Sequence, residues 1–187
     1  MRVGTFLSGI RKALEGFSVA AQRGDEDPFP EALQGPGYHD YYLTHAWVNI
    51  AIGILMRNIG RTEFTIVKDG KPVIDGPVAR LFSEPNPHLS GFDLWKETGA
   101  WWSLEGEAFW YFGNDYAGGL PEAIHILNPR RVTMRVEDGR VIRWFYSSDA
   151  DIVPILPDEV IHFRDWNPWN PWRGVSPLVS LKYELDQ

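Results

Sequence analysis

The sequence lacks several features that define whole classes of protein. It contains no cysteine, which excludes a disulfide scaffold, a thiolate zinc site and a cysteine nucleophile. It has no phosphate-binding P-loop and no glycine-rich dinucleotide fingerprint. Basic side chains are in the minority, with 18 Lys and Arg against 25 Asp and Glu and a net charge of −7. An excess of acidic side chains argues against a protein that binds nucleic-acid phosphates.

Long hydrophobic runs are also missing. The N-terminal residues 1–17 include three basic side chains but not the apolar core of a secretory signal. The most apolar stretch, residues 41–56, is too short to span a bilayer and is interrupted by polar side chains. We therefore expect no contact with a membrane and interpret the chain as soluble.

What is present is the composition of a globular domain with many tryptophans. Hydrophobic residues make up 44% of the chain and charged residues 23%, which excludes a wholly disordered protein. The length of 187 residues corresponds to one domain with an additional arm. Nine residues are tryptophan, and any functional interpretation has to account for them.

Residues 1–38 are interpreted as an N-terminal arm and linker. Phe6, Ile10 and Leu14 fall on one stripe and predict a short helix over residues 3–17. The alternative, compatible with the first, is an arm that docks on something larger. Residues 18–38 combine glycine, proline and an acidic run without any periodicity, which is typical of a linker.

Residues 39–187 are interpreted as one domain that begins with helices. The apolar residues of 41–59 predict a helix that is buried on most sides. Ser90 has the features of an N-cap and predicts a second long helix that runs to about Leu104. Pro177 marks the start of a third helix. The wide apolar face of the first helix consists of Trp47, Ile50, Ala51, Ile54 and Leu55.

After Gly106 the hydrophobic period changes to two, which predicts strands. An earlier strand is predicted at residues 63–68, before the hairpin signal Asp69-Gly70, and a second hairpin is predicted around Asp138-Gly139. The fold class is therefore α+β, with two or three helices packed on an antiparallel β meander. The later strands are predicted at residues 108–112, 123–127, 132–136, 141–146, 152–155 and 160–163.

Candidate catalytic motifs are weak. Residues 174–177 form half of a nucleophile elbow, but the closing glycine is missing, so Ser176 is better explained as a helix N-cap. The five histidines have no metal-ligand spacing, and His125 and His162 are expected to point outward from strands or to be hydrogen-bonded in the core. We predict no catalytic residue, no metal site and no cofactor.

Paired carboxylates could serve glycoside hydrolysis, and four acidic residues are candidates. With 25 acidic residues in the chain, however, pairs arise easily by coincidence. Two of the candidates flank Gly106 and are interpreted as the edge of a solvated loop. The four candidates are Glu105, Glu107, Asp158 and Glu159.

A tryptophan-rich segment near the C-terminus is the most distinctive feature. It has neither strand nor helix periodicity, and large aromatic side chains on a loop are costly to expose. They could cover the domain's own core, bind a flat ligand such as a sugar, or pack against a partner chain. Trp and Arg are enriched at interface hot spots, so we predict a subunit or partner interface. The predicted interface residues are Arg164, Trp166, Trp169, Trp172 and Arg173.

Several segments, taken in order, resemble the portal proteins of tailed bacteriophages of the long-tailed type. They include a turn similar to the family's L-L-x-x-P-N-P and an ending similar to its E-V-I-H-x-R … G-x-S-P-L. The chain departs from the family pattern at Glu107, where Asn is usual, and at Phe109, where Tyr is usual. The resembling segments are residues 45–52, 64–67, 79–87, 104–109, 123–132, 159–164 and 173–178.

The resemblance covers the arm and the wing-like region of a portal. It implies a structural protein without catalysis or cofactor, which forms a dodecameric ring at the capsid vertex, joins head to tail, and lets double-stranded DNA pass during packaging and ejection. It implies capsid and head-tail adaptor proteins as partners, and a location in the virion after assembly in the host cytoplasm. The packaging motor would be a partner only if the missing clip is supplied, because the chain stops where a stem-type helix begins.

Two alternatives remain open. The tryptophans and the spare carboxylates would also suit a carbohydrate-binding or glycan-cleaving domain. A portal-derived module that binds a different protein would have the same sequence pattern. Under the interface interpretation, replacing Trp169 or Arg173 should weaken assembly more than folding.

Overall fold

The computed structural model describes residues 38–112, 116–117, 120–148 and 151–185. The predicted helix over residues 3–17 and the linker as far as residue 37 lie outside this part of the chain. Every prediction about residues 39–187 that is discussed below falls on the described residues.

The helices lie mainly in the first half of the described chain. Two of them contain 15 residues each and pack closely against one another. Their contact is so close that a Cβ on Gly99 would lie 2.6 Å from the Ile59 side chain. The helices are α1 (Tyr38–Thr44), α2 (Ala46–Gly60), α3 (Pro77–Ser83), α4 (Gly91–Glu105) and the short α5 (Lys182–Leu185).

The predicted helix over residues 41–59 is two helices, because the chain is extended at His45. The Asn49 side chain donates a hydrogen bond of 3.0 Å to the carbonyl of Tyr42, which satisfies a backbone acceptor at the end of α1. The prediction that this helix is buried on most sides is wrong. Val48 and Ile52 are buried, whereas the apolar face that contains Trp47 lies exposed.

Helix α4 follows its predicted signals. The Ser90 hydroxyl accepts a hydrogen bond of 3.2 Å from the backbone N–H of Asp93, which is the capping contact expected from the sequence. Gly106 ends the helix at φ 76°, a left-handed conformation that favours glycine. The chain then passes directly into a strand.

Within the described residues, the strands form two three-stranded antiparallel sheets and two short hairpins. The first sheet has the order β10-β3-β6, and the second is the predicted meander β7-β8-β9. The strand predicted at residues 63–68 is shorter than expected, since only its last two residues pair, although its Asp69-Gly70 turn is present. The strands are β1 (Val67–Lys68), β2 (Lys71–Pro72), β3 (Glu107–Tyr111), β4 (Tyr116–Ala117), β5 (Leu120–Pro121), β6 (His125–Leu127), β7 (Val132–Glu137), β8 (Arg140–Ser147), β9 (Ile152–Ile155) and β10 (Val160–Arg164).

Strand β3 lies at the centre of the molecule. On one face, Trp110 packs with Leu94 of α4 and donates a hydrogen bond of 2.7 Å to the buried Thr98 hydroxyl. On the other face, Phe109 packs against Trp144 of the meander. The strand is therefore buried on both sides, between a helical layer and the second sheet.

A further cluster joins the ends of the described chain. Tyr38 and Tyr41 of α1 pack with Val48 of α2 and with Leu178, which follows Pro177 in a 3-10 turn at residues 177–181. The Ser176 hydroxyl accepts a hydrogen bond from the N–H of Leu178, as its predicted capping role requires. Among the described helices, none combines the length and the apolar character needed to cross a membrane.

Candidate functional site

The carboxylate of Glu107 organises the region around the tryptophan-rich segment. Glu107 is the first residue of β3 and is only 2% exposed. One carboxylate oxygen, Oε2, lies 2.9 Å from His162 Nε2 and 3.0 Å from the backbone nitrogen of Gly174. The other oxygen, Oε1, accepts two hydrogen bonds from Arg173. The interpretation of Glu107 as a solvated loop edge is therefore wrong.

These contacts determine the ionisation of Glu107. Burial by itself raises the pKa of the carboxyl, but the hydrogen bond with His162 and the charge of Arg173 outweigh burial. The pKa of Glu107 consequently lies below its ordinary value. Because an ionised carboxylate only accepts hydrogen bonds, the ring nitrogen Nε2 of His162 is the donor.

The ring of His162 is held on three sides. It stacks on Phe109 with a centroid distance of 4.2 Å, and the Trp144 ring meets it edge-on at 5.1 Å. His162 is thus a hydrogen-bonded histidine at the core boundary, one of the two arrangements expected for it from the sequence. It links the carboxylate of Glu107 to the aromatic cluster beneath the meander.

The side chain of Arg173 is half-buried and points toward Glu107. Its Nε donates a hydrogen bond of 2.8 Å to Glu107, and its Nη1 donates one of 2.9 Å to the carbonyl of Val132. Its Nη2 also bonds the carbonyl of Pro129. Arg173 therefore connects its own loop with the start of β3 and with the segment from Pro129 to Val132. Because its guanidinium is engaged in these contacts, its charge is not available to a partner.

Both ends of the tryptophan loop, which we define as residues 164–173, are fixed to the junction between α4 and β3. The N–H of Asp165 donates a hydrogen bond of 2.8 Å to the carbonyl of Gly106. Gly174, directly after the loop, approaches the same carbonyl so closely that a Cβ on Gly174 would lie 2.0 Å from that oxygen. Only glycine fits at Gly174, and the loop is clamped at both ends.

Two buried asparagines shape the interior of the loop. The side-chain oxygen of Asn167 accepts hydrogen bonds from the N–H groups of Trp169, at 2.9 Å, and Asn170, at 3.2 Å. The Asn167 amide donates to the carbonyl of Gly174, and Asn170 accepts from the N–H of Trp172. In each of these turns the side-chain oxygen of an asparagine accepts a hydrogen bond from a backbone N–H two or three residues later, which is a common local turn. The loop therefore has a defined conformation although it contains neither helix nor strand.

The side chains that the anchored loop presents outward are aromatic. Trp166 is 76% exposed and Trp169 is 57% exposed, so neither ring covers the domain's own core. Arg164, at the end of β10, is also exposed, and Trp172 is half-buried. The structure thus places Arg164, Trp166 and Trp169 at the surface, whereas Trp172 and Arg173 are half-buried.

Glu159, another of the four candidate carboxylates, also has a structural contact. Glu159 is buried and accepts a hydrogen bond of 2.7 Å from the backbone nitrogen of Leu156, where it caps a turn. The Glu107 carboxylate accepts hydrogen bonds from Arg173 and from the N–H of Gly174, and it is hydrogen-bonded to His162. In the part of the chain that the structure describes, no group of three or more His, Cys, Asp or Glu side chains could hold a metal ion.

The sequence model of the family described as "Phage portal protein" matches residues 46–187, which is most of the chain. The chain belongs to the phage portal protein family. A search of curated proteins finds no match to it.

Solved structures agree with this assignment at the level of the fold. A chain from the neck of an empty gene transfer agent particle, computed with C6 symmetry, has a TM-score of 0.70 and 17% identity, and the alignment covers 87% of this chain and 43% of that chain. A chain from the virion of the native gene transfer agent particle has a TM-score of 0.67 and 17% identity, with coverage of 81% and 42%. A chain from the neck of the native particle, computed with C12 symmetry, has a TM-score of 0.66 and 16% identity, with coverage of 80% and 41%.

These comparisons confirm the family resemblance and the α+β fold of this portal-family chain. The chain spans less than half the length of the particle chains that it matches. The matched family begins at residue 46, so α1 and the residues before it lie outside the match. All the residues of the tryptophan loop lie within it.

Proposed function

We propose that this chain is the wing-like part of a portal subunit, which serves as a structural protein in a ring at the capsid vertex. DNA would be packaged and ejected through that ring, which would also connect head to tail. The observation that carries the proposal is the match of the portal family over residues 46–187. The same match favours this role over a carbohydrate-binding or glycan-cleaving domain.

The tryptophan loop is the surface that we propose for a subunit or partner contact. Its two exposed rings are of the residue type that dominates the binding energy of interfaces. The loop is also fixed in advance by Glu107, Arg173 and the buried asparagines. A surface that is already ordered loses little conformational entropy when a partner binds.

A closed ring requires that each subunit use two different surfaces, because its contacts run head to tail. One solved relative is the neck of a particle computed with C12 symmetry, and the family resemblance implies a dodecamer. We propose that the ring contains twelve copies of this chain. Capsid and head-tail adaptor proteins would be its other partners, and its location would be the virion after assembly in the host cytoplasm.

The charge of the chain supports passage of DNA rather than binding. With a net charge of −7, the chain repels phosphate overall, and tight nucleic-acid binding depends on neutralising phosphates with Lys and Arg. We propose that DNA passes without sequence-specific contact. We further propose that the chain performs no catalysis and uses no cofactor.

The test compares the assembly of three proteins. The double variant Trp166→Ala/Trp169→Ala removes both exposed rings, and Trp102→Ala removes an exposed ring on α4 as a matched control. We expect wild type and Trp102→Ala to assemble at the same protein concentration. The double variant should require a higher concentration to assemble. Equal assembly of all three would contradict the role of the loop. A change in intrinsic fluorescence with a panel of oligosaccharides would instead favour the carbohydrate alternative.

A further inference from the structure

Helix α2 exposes a continuous apolar face. Trp47 is 76% exposed, and Ile50, Ile54 and Leu55 are each about half exposed. Ala51 lies between them at helical spacing and is also exposed. The opposite side of the helix packs into the core. A face of this kind normally contacts another part of the protein or a partner, since apolar patches of this size are rarely left to water.

We propose that residues 3–17 of the same chain dock on this face as an amphipathic helix. In helical form, all the large apolar side chains of this segment fall on one side. The other side carries the polar and charged residues, including Arg11, Lys12 and Glu15. The apolar side consists of Val3, Phe6, Leu7, Ile10, Ala13, Leu14 and Phe17.

The dimensions of the two partners agree. Residues 3–17 and α2 both contain 15 residues, so each helix would be about 22 Å long. A single apolar stripe of the segment could therefore cover the whole exposed face of α2.

The position of α1 fixes where the linker after the segment ends. Tyr38 and Tyr41 pack against Val48 and Ile52, so the chain enters the described structure beside the N-terminal half of α2. The 20 residues between Phe17 and Tyr38 span at most about 70 Å when fully extended, which is ample for the return to α2. Docking within one chain also benefits from a high effective concentration.

The proposed contact is apolar rather than electrostatic, because α2 contains no acidic residue and only one basic residue, Arg57. The proposal concerns α2 and the segment alone and does not depend on ring formation or on the tryptophan loop.

The absence of cysteine makes the test direct. Ala51→Cys places a single thiol in the centre of the α2 face, and Thr133→Cys places one on the exposed side of β7 as a control. The measurement is the rate of reaction of each thiol with a maleimide, in the full chain and in a variant that lacks residues 1–17. We expect the thiol at position 51 to react about tenfold more slowly in the full chain, and the thiol at position 133 to react equally in both.

Point variants separate docking from the effects of truncation. Leu14→Asp adds a charge to the apolar side of the segment, whereas Ser8→Asp adds the same charge to its polar side. We expect Leu14→Asp to restore fast labelling at position 51 and Ser8→Asp to leave it slow, at every protein concentration. Fast labelling in the full chain would overturn the proposal. Slow labelling without residues 1–17, or protection that grows with concentration, would also overturn it and assign the face to a second copy.

Discussion

The carboxylate of Glu107 is ion-paired with the guanidinium of Arg173, which lies 66 residues later in the chain. The pair joins the first residue of the central strand to the last residue of the tryptophan loop. Gly174, directly after the loop, donates its N–H to the same carboxylate. A buried acid at the start of β3 thus determines where an exposed aromatic surface is held.

Removing the charge of Glu107 should destabilise the fold. In Glu107→Gln, Arg173 keeps its half-buried position without a compensating negative charge. We expect the free energy of unfolding to fall by about 3 kcal/mol, the range observed when one member of a buried pair is lost. Urea denaturation measures this difference. A change smaller than about 1 kcal/mol would mean that the pair contributes little to folding.

Acid should weaken the wild type more than the variant. The pKa of Glu107 is lower in the folded protein than its ordinary value of 4.5, so the folded state holds this proton less tightly than the unfolded state does. The corresponding stability is fully present above pH 4.5 and is lost as the pH falls through the folded pKa. We expect the free energies of unfolding of wild type and Glu107→Gln to converge below pH 4.5. Parallel curves down to acidic pH would contradict this role.

A methyl group at Gly174 should displace the loop. In Gly174→Ala the new Cβ would lie 2.0 Å from the carbonyl oxygen of Gly106, which is backbone and has little freedom to move. We expect a loss of about 3 kcal/mol or more in the free energy of unfolding. Gly53→Ala is the matched control, because its Cβ would meet only the end of the Arg57 side chain at 3.2 Å.

The control has its own expected result. Gly53 lies inside α2, where alanine is the better helix former by up to about 1 kcal/mol. Gly53→Ala should therefore leave the stability unchanged or raise it slightly. Thermal melts of both variants distinguish the two outcomes. Equal effects would show that the contact between Gly174 and Gly106 does not constrain the loop.

Trp169 and Arg173 should now behave differently from one another. Trp169→Ala removes an exposed ring, so its free energy of unfolding should change by no more than about 0.5 kcal/mol while assembly weakens by about 2 kcal/mol. Arg173→Ala leaves the buried Glu107 carboxylate without its cationic partner and should cost about 3–5 kcal/mol of folding stability. Chemical denaturation and sedimentation of both variants test the contrast. A loss of cooperative melting in Trp169→Ala would identify the ring as part of the core.

Local sequence signals predicted much of the fold. The N-cap at Ser90, the glycine that ends α4, and the turn at Asp69-Gly70 all form as expected, because each depends on residues within one or two turns of the chain. The residues that form the apolar face of α2 were also predicted correctly. The prediction that this face is buried was wrong, because periodicity shows which residues share a face but not what covers it.

The site required information that lies far apart in the sequence. Glu107 meets its partners 55 and 66 residues away, and no local pattern distinguishes this acid from the other acidic residues. The repeated Asn-Pro-Trp motif at residues 167–172 was a usable signal, since asparagine at such positions forms turns. Arg173 was predicted to be an interface residue because arginine is enriched at interface hot spots. In the structure its side chain is hydrogen-bonded to the buried carboxylate of Glu107.

The most direct test of the account is the mass of the assembled protein, measured by multi-angle light scattering with negative-stain images of the same fraction. We expect closed rings with a mass of about twelve times 21.4 kDa, and their loss in the double variant Trp166→Ala/Trp169→Ala. A mass that stays at 21.4 kDa at every concentration would contradict the claim that this chain carries a ring-forming contact.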